Sequence, residues 1–176
     1  MLRYHDIKRD DMNNGIGLRV TIFFSGCSHN CPECQNPQTH DPKSGVPFNE
    51  ADKEELFNAL DHDYIHGITL SGGDPLFAKN IVDVYNLLAE LKQKFPTKTV
   101  WCYTGYTFEE IMQDYTGGSL MYMRKLLVTN FVDVLIDGEY KKDLRDLDAK
   151  WRGSSNQRVI DIKKTLEKGE LVLFCD

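Results

Sequence analysis

Three cysteines, Cys27, Cys31 and Cys34, lie close together in the run GCSHNCPECQN. Thiolates spaced Cys-x3-Cys-x2-Cys on one short loop can converge on a single metal centre. No fourth thiol is nearby, because Cys102 and Cys175 are remote in sequence. Iron–sulfur clusters that only carry electrons usually have four protein ligands. A cubane held by three keeps one iron open to a small molecule, and that iron is where chemistry would happen. Two other outcomes remain open on spacing alone. The three cysteines can take His29 or His40 as the fourth ligand of a zinc site, or they can hold no metal. His62 and His66, four apart, can share a helix face but lack further ligands; they read as flanking a surface turn. Cys102 sits in an apolar stretch and reads as a small buried hydrophobe, and Cys175 as incidental.

The cysteine loop needs a scaffold, and the flanking pattern supplies one. Residues 18–25 (LRVTIFFS) are β-branched and aromatic and read as a buried strand that ends at the loop. Asn49 is a candidate helix cap, with Glu50 and Asp52 in the first turn and Leu56, Phe57 and Leu60 on one face. A strand over 67–71 leads into Gly72-Gly73-Asp74-Pro75. Residues 79–95 form the clearest amphipathic helix, with Ile81, Val84, Tyr85, Leu88, Leu91 and Phe95 at helical spacing. Strands over 99–103 and 131–136 end at Thr104-Gly105-Tyr106 and Asp137-Gly138, with a helix from about Phe108 between them. Short late strands are expected over 158–162 and 171–174. The order β-loop-α, repeated about four times, implies an α/β fold with a mainly parallel sheet and right-handed crossovers. A full eight-unit barrel takes about 250 residues, so 176 residues suffice only for a partial (β/α) barrel. One domain over 1–176 is expected.

Composition narrows the function classes. Hydrophobic residues are 41% and charged residues 27%, as in a globular protein. The net charge is −6 with dispersed basic residues, which gives no footprint for nucleic acid. The Lys141-Lys142 pair reads as a solvated face. No apolar run is long enough to span a bilayer. The start, MLRYHDIKRDDMNNG, is charged and lacks the apolar core of a secretory signal. A cytoplasmic location follows as the expectation, and in a reducing compartment clustered cysteines suggest metal or redox chemistry.

The Cys-x3-Cys-x2-Cys loop after a first strand resembles the cluster motif of the radical S-adenosylmethionine (SAM) superfamily. That resemblance implies a [4Fe-4S] cluster on Cys27, Cys31 and Cys34 whose open iron binds the amino and carboxylate groups of SAM. Gly72-Gly73-Asp74-Pro75 stands where the superfamily has its SAM-binding segment. It implies close backbone approach at Gly72 and Gly73, and Asp74 against the SAM ammonium; the residues alone read as an ordinary turn. Thr104, Gly105 and Tyr106 end a strand on the same rim, where Gly105 would admit adenine and Tyr106 pack on it, or Tyr106 simply covers the core. Asp137 can serve a SAM hydroxyl or form a turn. Arg152 or Arg158, in WRGSSNQR, can engage the SAM carboxylate or a substrate loop, or the segment is a loop held by structural salt bridges.

Three stretches, NNGIGLRVTIFFSGC, WCYTGYTFEE and WRGSSNQRVID, bring a closer resemblance, to the activases of anaerobic (class III) ribonucleoside-triphosphate reductase. With the cysteine loop and GGDP they span most of the chain. The resemblance implies reductive SAM cleavage and hydrogen abstraction from a backbone glycine of the reductase. It also implies an electron donor such as flavodoxin. In that chemistry the bound adenosyl radical, not a protein acid or base, is the abstractor. The rivals are a radical SAM enzyme with another substrate and a zinc-binding interaction module. Glu33 and Gln35, beside the third cysteine, depart from the residues usual there.

Overall fold

Strand β2 (Leu18–Phe24) sends successive side chains to opposite faces of the sheet. In the computed structural model, which describes residues 1–113 and 120–175, Val20, Ile22 and Phe24 are completely buried. They join Ile68 and Leu70 of β4 (Ile65–Gly72) and Val100 and Cys102 of β5 (Thr99–Tyr103) in the main apolar core. Helices close that face. In α1 (Glu50–Leu60), Leu56, Phe57 and Leu60 are buried. In α2 (Ile81–Lys94), the buried residues are Ile81, Val84, Leu87, Leu88 and Leu91. Fully burying one such side chain is worth about 1.5–3 kcal/mol. The alternate residues Phe23, Ser71 and Tyr103 face the other way and line a cavity.

The sheet has seven strands in the order β3-β1-β2-β4-β5-β6-β7, and it is open rather than closed. Its centre is parallel. β2 pairs with β4, β4 with β5, and β5 with β6 (Val134–Asp137), so the carboxyl ends Phe24, Gly72, Tyr103 and Asp137 form one rim. The outer strands are antiparallel: β1 (Arg3–Asp11), β3 (Val46–Pro47) and β7 (Arg158–Asp161). The expected parallel sheet is therefore the middle of a mixed one.

Several boundaries move. Phe131 ends α4 (Leu120–Phe131) instead of starting a strand. Ile162 starts α5 (Ile162–Lys168), capped by Asp161 and stopped at Gly169 with φ of 69°. Residues 171–174 make one isolated bridge, Ile160 to Leu173, not a strand. The charged start forms β1, which sequence patterning misses because a largely solvated strand, flanked on its outer side only by the two-residue β3, has no apolar face to alternate. Helix α3 (Phe108–Met112) begins where expected, with Thr107 and Glu110 forming a capping box. Asn49 and Asp52 do the same for α1.

Candidate functional site

The cysteine loop is held at both ends before any ligand is considered. Gly26 N–H donates to the Thr39 carbonyl at 2.7 Å and Cys27 N–H to His40 at 3.1 Å, so residues 26–40 close into a lobe. Asn80 Nδ2, buried, donates to the Ser25 carbonyl at 2.8 Å and fixes the lobe's root. Within it, Cys34 N–H donates to the Cys31 carbonyl at 3.2 Å. Cys27, Cys31 and Cys34 are all unbridged thiols and all line one cavity of about 530 Å³. Burial pushes the Cys27 thiol up to about 11 and raises Cys31 as well. Iron binding would therefore have to displace those protons.

Among the described residues, no three His, Cys, Asp or Glu side chains converge as the shell of a single ion requires. His29, one of two histidines available to a zinc site, is engaged on both ring nitrogens: Nδ1 to Glu139 at 2.8 Å and Nε2 to Asp74 at 3.0 Å. Three thiols lining one cavity offer the soft donor set that iron–sulfur clusters take.

His29 and Asp74 tie the rim together. Asp74 is 1% exposed and accepts from Leu76 N–H at 2.8 Å, Thr104 Oγ1 at 3.0 Å and Gly105 N–H at 3.1 Å. Through His29 it also grips the cysteine loop. Burial opposes a charge on His29, but hydrogen bonds and charge from Asp74 and Glu139 outweigh it and raise its pKa. Both partners are carboxylates, so the ring donates on both sides only as the imidazolium. Two glycines make this closeness possible. A Cβ at Gly73 would collide with the Gly26 carbonyl, and one at Gly105 with the His29 ring.

The candidate residues separate into two groups. Gly72, Gly73, Thr104 and Gly105 line the cavity beside the cysteines. Asp74, Tyr106, Asp137 and Arg158 stand behind its wall. Tyr106 packs edge-on against His29 with centroids 4.5 Å apart, and its hydroxyl accepts from Arg124 at 2.8 Å. Arg124 also lies over the Tyr106 ring at 4.0 Å. Asp137 is buried and accepts from Phe108 N–H at 2.8 Å and from Arg158 at 2.5 Å. Arg158 also forks onto Glu109 at 2.9 and 2.7 Å.

His62 stacks on Tyr64 in the turn, and Cys102 is fully buried. Lys142 is exposed but pairs with Glu33, tying the cysteine loop to the segment after β6. Sequence reasoning missed the bridging role of His29 and the parts played by Glu139, Arg124 and Gln157. The partners of His29, Glu139 and Arg124 lie far along the chain, and Gln157 joins its own loop to Gly138, 19 residues away, so local spacing carries little signal for these contacts.

Comparison with known proteins bears on the same residues. The family model described as a 4Fe-4S single cluster domain matches residues 13–160. The anaerobic ribonucleoside-triphosphate reductase-activating protein of Escherichia coli K12 is 38% identical over 160 residues, covering 90% of this chain and 97% of that protein. The phage T4 protein of the same name is 40% identical over 158 residues, covering 90% and 93%. That of Haemophilus influenzae is 36% identical over 151 residues, covering 85% and 91%.

Proposed function

We infer that this chain, which belongs to the family of anaerobic ribonucleoside-triphosphate reductase-activating proteins, is the iron–sulfur radical SAM activase of such a reductase. The observation that carries the reading is the shared cavity. Three unbridged thiols open onto it beside Gly72, Gly73, Thr104 and Gly105, at the carboxyl rim of four parallel strands. Ligands bind at that rim in open α/β sheets.

Cys27, Cys31 and Cys34 would hold a [4Fe-4S] cluster. Bound there, the cluster and SAM supply the electron and the adenosyl radical that removes hydrogen from a glycine of the reductase. The chain's own residues position and shelter. Gly72 and Gly73 let backbone approach SAM without side chains intervening. Asp74 holds the Thr104-Gly105 turn and, through His29, the cysteine loop, so the cluster and the SAM wall keep a fixed spacing. Asp137 and Arg158 brace the start of α3 behind Tyr106. We read 1–176 as one radical SAM domain of the partial-barrel type, working in the cytoplasm with a flavodoxin-like electron donor and without nucleic acid or membrane.

The test is anaerobic reconstitution with iron and sulfide, followed by electron paramagnetic resonance of the reduced protein with and without SAM. About four irons per chain and a signal altered by SAM are expected. Adding the reductase should then produce a glycyl radical signal, and Ser at any of the three cysteines should abolish it. A colourless chain that retains one zinc and gives no such signal would sink the reading.

A further inference from the structure

The two arginines of the WRGSSNQR segment have opposite situations. Arg158 is neutralised by Glu109 and Asp137. Arg152 lines the cavity, half-buried, and among the described residues no carboxylate pairs with it. Its one hydrogen bond is long, from Nη1 to the Gln157 carbonyl at 3.4 Å, and its Nε is buried with no partner. A buried guanidinium N–H without an acceptor is costly, and a guanidinium on the cavity wall with no carboxylate partner among the described residues leaves its charge for an anion in the cavity.

The loop that carries Arg152 is preorganised. Gln157 Oε1 accepts from Gly153 N–H at 2.9 Å and Ser154 N–H at 3.2 Å, while its Nε2 donates to the Gly138 carbonyl at 2.9 Å. Trp151, on the other side, packs edge-on against Trp101 with centroids 5.0 Å apart. Gly153 lies against Gln35, next to Cys34, so the unpaired cation stands beside the cysteine loop. Lys8, the other Lys or Arg side chain on the cavity wall, is exposed and sits 5.1 Å over the Phe23 ring, while the His29 ring is already held between Asp74 and Glu139.

We propose that Arg152 is the carboxylate receptor of the cavity and binds the carboxylate of SAM. The proposal rests on the activase reading, under which SAM is the ligand and its carboxylate is its one anionic group. The planar fork of Arg suits a carboxylate better than the point charge of Lys.

The test is equilibrium binding of SAM and of decarboxylated SAM to the anaerobically reconstituted protein, in wild type, Arg152→Gln, Arg152→Lys and Lys8→Gln. Arg152→Gln should weaken SAM binding about 10- to 100-fold, the size expected for a lost hydrogen bond to a charged group. It should leave the decarboxylated analogue within about twofold of wild type, since the two changes remove the same contact. Arg152→Lys should fall between. Iron content should not change.

Equal weakening of both ligands, or of neither, would overturn the assignment. So would a loss of cluster loading, which would make Arg152 a support of the cluster itself. Discrimination lost in Lys8→Gln but kept in Arg152→Gln would give the role to Lys8. If the wild type holds its cluster yet binds no SAM, the activase reading fails first and this assignment with it.

Discussion

Asp74 concentrates more of the site than any other side chain. It is buried, and it answers three donors of the rim besides the His29 ring. Removing the carboxylate leaves Leu76 N–H, Thr104 Oγ1 and Gly105 N–H without acceptors, each costing about 1–3 kcal/mol when water cannot replace it. Asp74→Ala should therefore lower unfolding free energy by about 3–5 kcal/mol in urea titration. Asp74→Asn, which keeps an acceptor oxygen, should lose clearly less. Glu109 allows a test by pH. The hydrogen bond from Arg158 holds its pKa below the ordinary 4.5, against a weaker opposing effect of burial. A carboxylate depressed on folding contributes stability above its unfolded pKa and loses it as pH falls through the folded value. The stability gap between wild type and Glu109→Gln should thus be present at neutral pH and close on acidification below about 4.5. Glu109 is largely exposed, so the gap should stay under about 1 kcal/mol.

At the scale of elements, Arg19 on β2 shows how a strand can anchor a loop. It is 1% exposed, and burial lowers its pKa to about 10. Nε donates to Thr69, Nη1 to the Ile16 carbonyl and Thr99 Oγ1, and Nη2 to the carbonyls of Ile68 and Thr99. Every N–H is answered, and the Trp101 ring lies 5.3 Å from the guanidinium carbon. The bond to Ile16 and the Thr69 hydroxyl's bond to the Asn14 carbonyl fix the turn between β1 and β2. Asn13 and Asn14 of that turn line the cavity. Arg19→Met should speed amide exchange in residues 12–17 by at least tenfold while α2 stays protected. Equal loosening of α2 would show that Arg19 supports the whole sheet instead.

For the molecule as a whole, stability divides between a dry core and a polar cavity. The helix-facing core holds Val20, Ile22, Leu70, Val100 and Leu88, all with no exposure. The rim is different: its lobe over 26–40 is short on apolar contacts and depends on caps, turns and carboxylates. Metal binding adds to stability whatever it contributes to the folded state alone. Stripping iron with a chelator should therefore raise exchange in 26–40 and 138–157 and lower Tm by several degrees, while β4 and β5 keep their protection. Uniform loss across β4 and β5 would mean that the cluster is part of the core.

By itself the sequence determined what depends on local order: the Cys-x3-Cys-x2-Cys loop, the strands that end at GGDP and TGY, the cap at Asn49, the start of a helix near Phe108, and the apolar face of α2. These follow from spacing, periodicity and hydrogen bonding within a few residues. Only the tertiary structure decided the rest. The charged segment Arg3–Asp11 became a strand because β2 offered it an edge, not because of its own pattern. His29 met Asp74 and Glu139 because parallel crossovers bring the ends of β2, β4 and β6 to one rim. Arg152 and Arg158 look alike along the chain, yet Arg158 at the start of β7 lies opposite Asp137 and is neutralised, while Arg152 is carried into the cavity unpaired. Charge pairing over such distances depends on where the sheet sets each strand, which no local spacing encodes.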